Sequence, residues 1–150
     1  MHFFRSFFLF ILILGLNYPS IGHTQDLEST ILVSHAWIRA MPPSMKNTAA
    51  YLTIENKTKT ELVLQSVTTT ASKIVEIHQM AMDGDMMKMK MVDALHIPTG
   101  GRLELSPNGF HLMIIDLHRP LVEGETLPLV LNFKDGTTLT VNAVVRKWSE

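Results

Sequence analysis

No cysteine occurs among the 150 residues, which removes a disulfide framework, thiolate catalysis, zinc-finger ligation and the cysteine-centred blue-copper site. Nor does one sign of charge prevail, since 13 Lys plus Arg stand against 14 Asp plus Glu for a net charge of −1. A nucleic-acid binder releases counterions through clustered basic residues, and the sequence holds no such cluster. Long apolar runs are missing too. The one sustained stretch, Phe7 to Leu16, falls well short of the roughly 20 residues that span a bilayer. There is no Gly-x-Ser-x-Gly elbow and no phosphate-cradling loop, and the acidic residues are scattered at turns. A hydrolase or nucleotide-binding site is therefore not indicated.

What is present at the start reads as an address. Met1-His2-Phe3-Phe4-Arg5 gives a basic opening, Phe7 to Leu16 an apolar middle, and Ser20 and Gly22 small residues before a cleavage point. This is the pattern of a secretory signal over residues 1–22, with cleavage after Gly22. The expected mature domain is then 23–150, periplasmic and free of the membrane. Its net charge is −2, because Arg5 is the only charged residue removed from a chain of net −1. No cysteine follows the apolar run, which argues against a lipid-anchored form. His23 would become the first residue, its amine and imidazole able to chelate Cu(II).

Beyond Asp26 no window sustains a 3.6-residue apolar period, whereas alternating or β-branched stretches recur between turn signals. Strands are expected at 31–39, 49–55, 61–69, 74–82, 86–92, 102–105, 110–117, 127–133 and 137–145. Between them lie turn formers such as Pro42-Pro43, Asp83-Gly84, Gly100-Gly101, Asn108-Gly109, Glu123-Gly124 and Asp135-Gly136. Glycine and asparagine there supply positive φ, and proline a fixed φ near −65°. About nine short strands at such spacing predict an all-β domain of two packed sheets, a β-sandwich without repeats or linkers. Trp37, Tyr51 and Phe133 are candidate core anchors.

Methionine is the unusual component. Six of the 10 methionines fall between Met80 and Met91. With Asp83-Gly84 as a two-residue type I′ turn, Met80 would oppose Met87 and His78 would oppose Met89. Period-two geometry puts His78, Met80, Met82, Met87 and Met89 on one face and Lys88 and Lys90 on the other. A second pair, His111 and Met113, shares a strand face, leaving Leu112 and Ile114 for the core. Two imidazoles with two or more thioethers form a soft donor set suited to Cu(I) and unsuited to Mg, Ca or Mn. The alternative on residues alone is a packed, metal-free sandwich whose methionines fill gaps. Met80, Met82, Met86 and Met91 individually fit packing or an accessory sulfur shell. Met41 and Met45 flank Pro42-Pro43 in a loop that could border the site. His35, His96 and His118 read as strand or loop residues without a ligand role.

The spacing His78-x10-Met89-x21-His111-x-Met113 resembles the signature of the PCuAC family of periplasmic Cu(I) chaperones. Ala36-Trp37-Ile38-Arg39, the run from Ala49 to Asn56, Pro98-Thr99-Gly100-Gly101 and the turn at 120–124 are similar to that family as well, so the likeness extends over about 34–145. It implies a cupredoxin-like Greek-key sandwich holding one Cu(I) near its surface through His78, Met89, His111 and Met113. It also implies delivery to the CuA centre of cytochrome c oxidase, in subunit II, beside a Sco-type thiol protein. The His- and Met-rich tail of some members, which adds Cu(II) capacity, has no counterpart in Lys147-Trp148-Ser149-Glu150.

The reading is a monomeric copper carrier without turnover. Thioethers do not titrate, so only His78 and His111 compete with protons, and acid below about pH 6 is expected to weaken binding. Copper storage or detoxification would use the same site with a different recipient. A metal-free assembly module, and a copper redox enzyme built on His23, are the rival classes.

Overall fold

The computed structural model describes residues 30–148; the expected signal segment and His23 lie outside them. Ten strands follow in chain order: β1 Ile31–Arg39, β2 Thr48–Asn56, β3 Leu62–Thr69, β4 Ser72–Asp83, β5 Met86–Met91, β6 Leu95–Ile97, β7 Arg102–Leu105, β8 Phe110–Leu117, β9 Thr126–Phe133 and β10 Thr138–Arg146. Their hydrogen-bonded order is β5-β4-β8-β7-β2-β1-β10-β9-β3-β6, with β8 also pairing β2. The architecture is all-β, as the turn spacing predicts. Nine expected strands are present, and the tenth, β6, pairs with β3 through Leu62↔Ile97 and Leu64↔Leu95.

Alternation decides which side of each strand is apolar. In β2 the even residues Ala50, Leu52 and Ile54 are buried, in β8 Leu112 and Ile114, and in β9 Leu127, Leu129, Leu131 and Phe133. These join one contiguous core with Leu64, Val67, Ile77 and Val145. Each fully buried aliphatic side chain contributes about 1.5–3 kcal/mol relative to exposure. The odd residues of β2 and β8 consequently point to the other, outer face. Phe133 is a core anchor as expected. Tyr51 is buried too, at 5% exposed, but on the outer face, its ring centroid 4.5 Å from that of Trp37; Trp37 itself is not part of the core.

Trp37 reaches that face because β1 is bulged. Ser34 pairs with Thr53 and Trp37 with Tyr51, so His35 and Ala36 together oppose Leu52. His35 has φ 54°, the left-handed geometry of the first residue in a bulge of the G1 kind, here without glycine. The extra residue inverts the phase. Ile31 and Val33 face the core before it, Ala36 and Ile38 after it.

Asn56 closes the far end. Fully buried, it donates from Nδ2 to the carbonyls of Thr60, Ile97 and Pro98, and its Oδ1 accepts from the Thr58 amide and hydroxyl. The adjoining turn, closed by Gly101 N–H to Pro98 O at 2.8 Å, has Gly100 at φ 70°, the positive φ that a type II turn demands at its third residue. One buried amide thus ties β2 to the end of β6.

Candidate metal centre

The outer face of β2, β8, β4 and β5 carries the soft donors. β4 and β8 are antiparallel with His78 opposite His111 and Glu76 opposite Met113. Their inward neighbours Ile77 and Leu112 are buried, and period two then sends His78 and His111 outward side by side. The imidazole centroids are 5.8 Å apart at 68°. On the other flank of β8, Met113 pairs with Ala49. Alanine there occupies little room, and a cleft of about 380 Å³ opens between Ala49, Tyr51, Met80, Met89, His111 and Met113. Met41 and Met45 border the same cleft from the Pro42-Pro43 loop, as the sequence allowed.

The β4–β5 hairpin differs from the expected register. Asp83 pairs with Met86, leaving Gly84 and Asp85 as the loop, and His78 opposes Met91 while Met80 opposes Met89. The expected His78–Met89 and Met80–Met87 oppositions are therefore incorrect. Of the two loop residues only Gly84 has positive φ, 64°, which is the type II′ arrangement rather than I′. Moving the loop by one residue changes partner numbers by two, so the faces survive. His78, Met80, Met82, Met87 and Met89 still share one side, now with Met91, and Met89 sits diagonally from His78.

Hydrogen bonds fix which nitrogen of each ring is free. His78 Nε2 donates to Glu76 Oε2 at 2.8 Å, and its Nδ1 is buried without a partner. His111 Nδ1 donates to the Gly109 carbonyl at 3.2 Å, leaving Nε2 with its lone pair. That same carbonyl accepts the Met80 amide at 3.1 Å, so His111 and the hairpin share an anchor. His111 is 3% exposed. Burial pushes its imidazole below the ordinary range, the bond to Gly109 opposes the shift, and the charge of His78 adds to it. A lowered value keeps the ring neutral, the form that ligates metal.

A buried nitrogen acceptor left bare is costly unless something binds it. Carboxylate-to-imidazole and carbonyl-to-imidazole bonds are the outer-shell arrangement that orients histidine toward a metal. Among the described residues no three of His, Cys, Asp and Glu are grouped so as to hold a metal ion, so the donors available are imidazole and thioether. Glu76 was not singled out in the sequence; its signal was position, two residues before His78 on the same strand face. His96 and His118 stand apart from the cleft, and His96 Nδ1 meets Glu61 at 3.0 Å. His35 contacts Ser34 Oγ at 3.0 Å. A file of rings leads away from His111: Tyr51 at 6.5 Å, then Trp37, then Trp148 at 6.0 Å from Trp37.

Comparison with known proteins bears on family and fold. The sequence model of the LpqE-like family, described as "Putative lipoprotein LpqE-like", matches residues 31–145. A curated relative, "Putative lipoprotein Lxx21020" of Leifsonia xyli subsp. xyli, is 29% identical over 137 residues, covering 90% of this chain and 81% of that protein. Among solved structures, Cu(I)-bound DR1885 of Deinococcus radiodurans is 38% identical with a TM-score of 0.65, over 85% of this chain and 87% of its own. The copper-bound PCuAC domain of PmoF2 has a TM-score of 0.68 at 22% identity, over 79% and 94%. The latter likeness establishes the fold as that of PCuAC domains.

Proposed function

The chain belongs to the LpqE-like family, and from that premise and the site above we propose that it is a Cu(I) carrier that binds one ion through His78, Met89, His111 and Met113. The observation that carries the reading is the buried, unpartnered Nδ1 of His78 beside His111, with thioethers lining the adjoining cleft. Its similarity to Cu(I)-bound DR1885 supports the choice of ion. Two imidazoles and two thioethers are all neutral, so the bound ion keeps its single positive charge and the soft donors favour Cu(I).

Carriage, rather than catalysis, fits the surroundings. The cleft is open, half of Met89 is exposed, and a recipient can approach the ion and exchange ligands one at a time. We place the protein in the periplasm on the strength of the 1–22 signal pattern, as a monomer that delivers copper to the CuA centre of cytochrome c oxidase subunit II alongside a Sco-type thiol protein. Storage or detoxification would share the site and lack this hand-over.

Anaerobic competition with a chromophoric Cu(I) chelator tests the ligand set. His78→Ala, Met89→Ala, His111→Ala and Met113→Ala are each expected to weaken Cu(I) affinity, while Met86→Ala, on the opposite hairpin face, is expected to leave it unchanged. Equal losses in all five variants would overturn the assignment. Incubating the loaded protein with an apo CuA domain then separates delivery from storage: transfer supports the former, and retention the latter.

A further inference from the structure

The face of the β4–β5 hairpin that bears His78 continues outward as sulfur. Its directly opposed pairs are His78 with Met91, Met80 with Met89, and Met82 with Met87. Opposed Cβ atoms lie about 4.5–5.5 Å apart, and successive same-face positions along a strand about 6.6–6.8 Å apart. Flexible thioether arms bridge such gaps readily. The opposite face is different in kind, with Gln79 opposite Lys90 and Ala81 opposite Lys88, and Lys88 paired to Asp83 at 2.5 Å. Of the hairpin's six methionines only Met86, opposite Asp83, lies on this side; the other five share the face of His78.

Packing does not account for that sorting. Met82 is 62% and Met87 50% exposed, and neither joins the core or packs against it. β5 is the edge strand of the sheet, where exposed apolar side chains invite association and are ordinarily avoided.

We propose that Met80, Met82 and Met87 form a second Cu(I) site, built of thioethers alone, one step outward from His78 and His111 and sharing Met89 with the inner site. This outer site stands on the hairpin geometry; its role in passing copper to or from the inner site rests on the function proposed above. Three sulfur donors select Cu(I) or Ag(I) over Zn(II) and Cu(II). With no imidazole and little burial, the outer site binds more weakly than the inner one and exchanges faster. Movement between the two is ligand substitution at copper: a new Cu–S bond forms as another breaks, the metal stays Cu(I), and no proton or electron is released.

The test is titration of the full chain with Ag(I) as a redox-silent probe, followed by native mass spectrometry and the methionine εCH₃ signals in NMR. Two ions are expected to bind in sequence, the first shifting Met89 and Met113 and the second shifting Met80, Met82 and Met87. Met82→Leu with Met87→Leu, a volume-conserving change on an exposed face, should reduce the stoichiometry from two to one and leave the first step intact. His78→Ala with His111→Ala should abolish the first step and retain the second. Methyl signals of Met82 and Met87 that stay fixed through two equivalents would overturn the outer site, as would a double-leucine variant that still takes two ions. If those signals respond only to an added CuA domain and not to Ag(I), the hairpin is a docking surface and the metal-site proposal fails. Loss of the outer step alone leaves the inner assignment standing, and an unchanged first step in the double-alanine variant refutes the inner assignment while sparing the outer one.

Discussion

An imidazole with one nitrogen held by a neighbour presents the other in a fixed direction, and at His78 the holder is Glu76. Truncating it as Glu76→Ala frees the ring to rotate away from the direction in which Nδ1 is held. Cu(I) affinity is expected to fall by about 10- to 100-fold, the usual effect of removing an outer-shell partner. Competition titration measures it, and an unchanged affinity would separate Glu76 from the site. His111 needs no side-chain holder because the Gly109 carbonyl serves. The sequence made the paired histidines and methionines legible by spacing. It did not make Glu76 legible, since a carboxylate two residues from a histidine acquires a role only once both are known to face outward. Nor could it place Met41 and Met45, whose position depends on how the loop ahead of β2 folds back over the sheet.

Elements raise a different question, which is what sets their register. Asp83-Gly84 and Gly84-Asp85 are both acceptable hairpin loops, one as type I′ and the other as II′. Type I′ would require positive φ at Asp83 as well as Gly84, whereas type II′ asks it of the glycine alone, and in the structure only Gly84 has it, hence the displaced register. β6 escaped notice because three residues ahead of Pro98 carry too little pattern, and Asn56 supplies what pattern does not. Asn56→Ala would leave three carbonyl acceptors and two donors without their partner. We expect a loss of about 3 kcal/mol, allowing for partial rescue by water, read as a lower midpoint in urea denaturation. The loop between β8 and β9 is set by charge instead. Arg119 donates to both Glu125 oxygens, and the Val122 amide donates to one of them. The Arg119 bond first, then the Val122 amide, holds the Glu125 carboxyl below its ordinary value of 4.5. A carboxylate with a lowered folded-state pKa contributes stability above its unfolded value and loses it as pH falls toward the folded one. Glu125→Gln should therefore flatten the dependence of thermal midpoint on pH below about 4.5, and a profile identical to the parent would contradict this.

Across the whole molecule, two faces divide the labour. The inner one is continuous aliphatic core, and Ile114, fully buried on β8 beside Met113, belongs to it. Ile114→Ala is expected to cost about 2–5 kcal/mol, depending on how far neighbours collapse, and calorimetry of the metal-free protein would read it. Copper should restore part of the lost midpoint in this variant, because a ligand that binds only the folded state stabilises by mass action. The outer face carries the proposed ligands, and alternation in β2, β4 and β8 was enough to assign most of them to it. Trp37 went astray because aromatic bulk is ordinarily interior, and because one inserted position in β1 is invisible in a run that reads as unbroken strand.

That insertion at His35 and Ala36 makes the count of residues in β1 behave like a parity bit. Excising one residue there would close the bulge into a regular pair, leaving Trp37 opposite Tyr51 on the outer face and Ile38 in the core. Excising both would set Trp37 opposite Leu52, driving Trp37 and Arg39 toward the aliphatic side and turning Ile38 out to water. Tryptophan fluorescence should discriminate the pair, with misfolding confined to the double deletion.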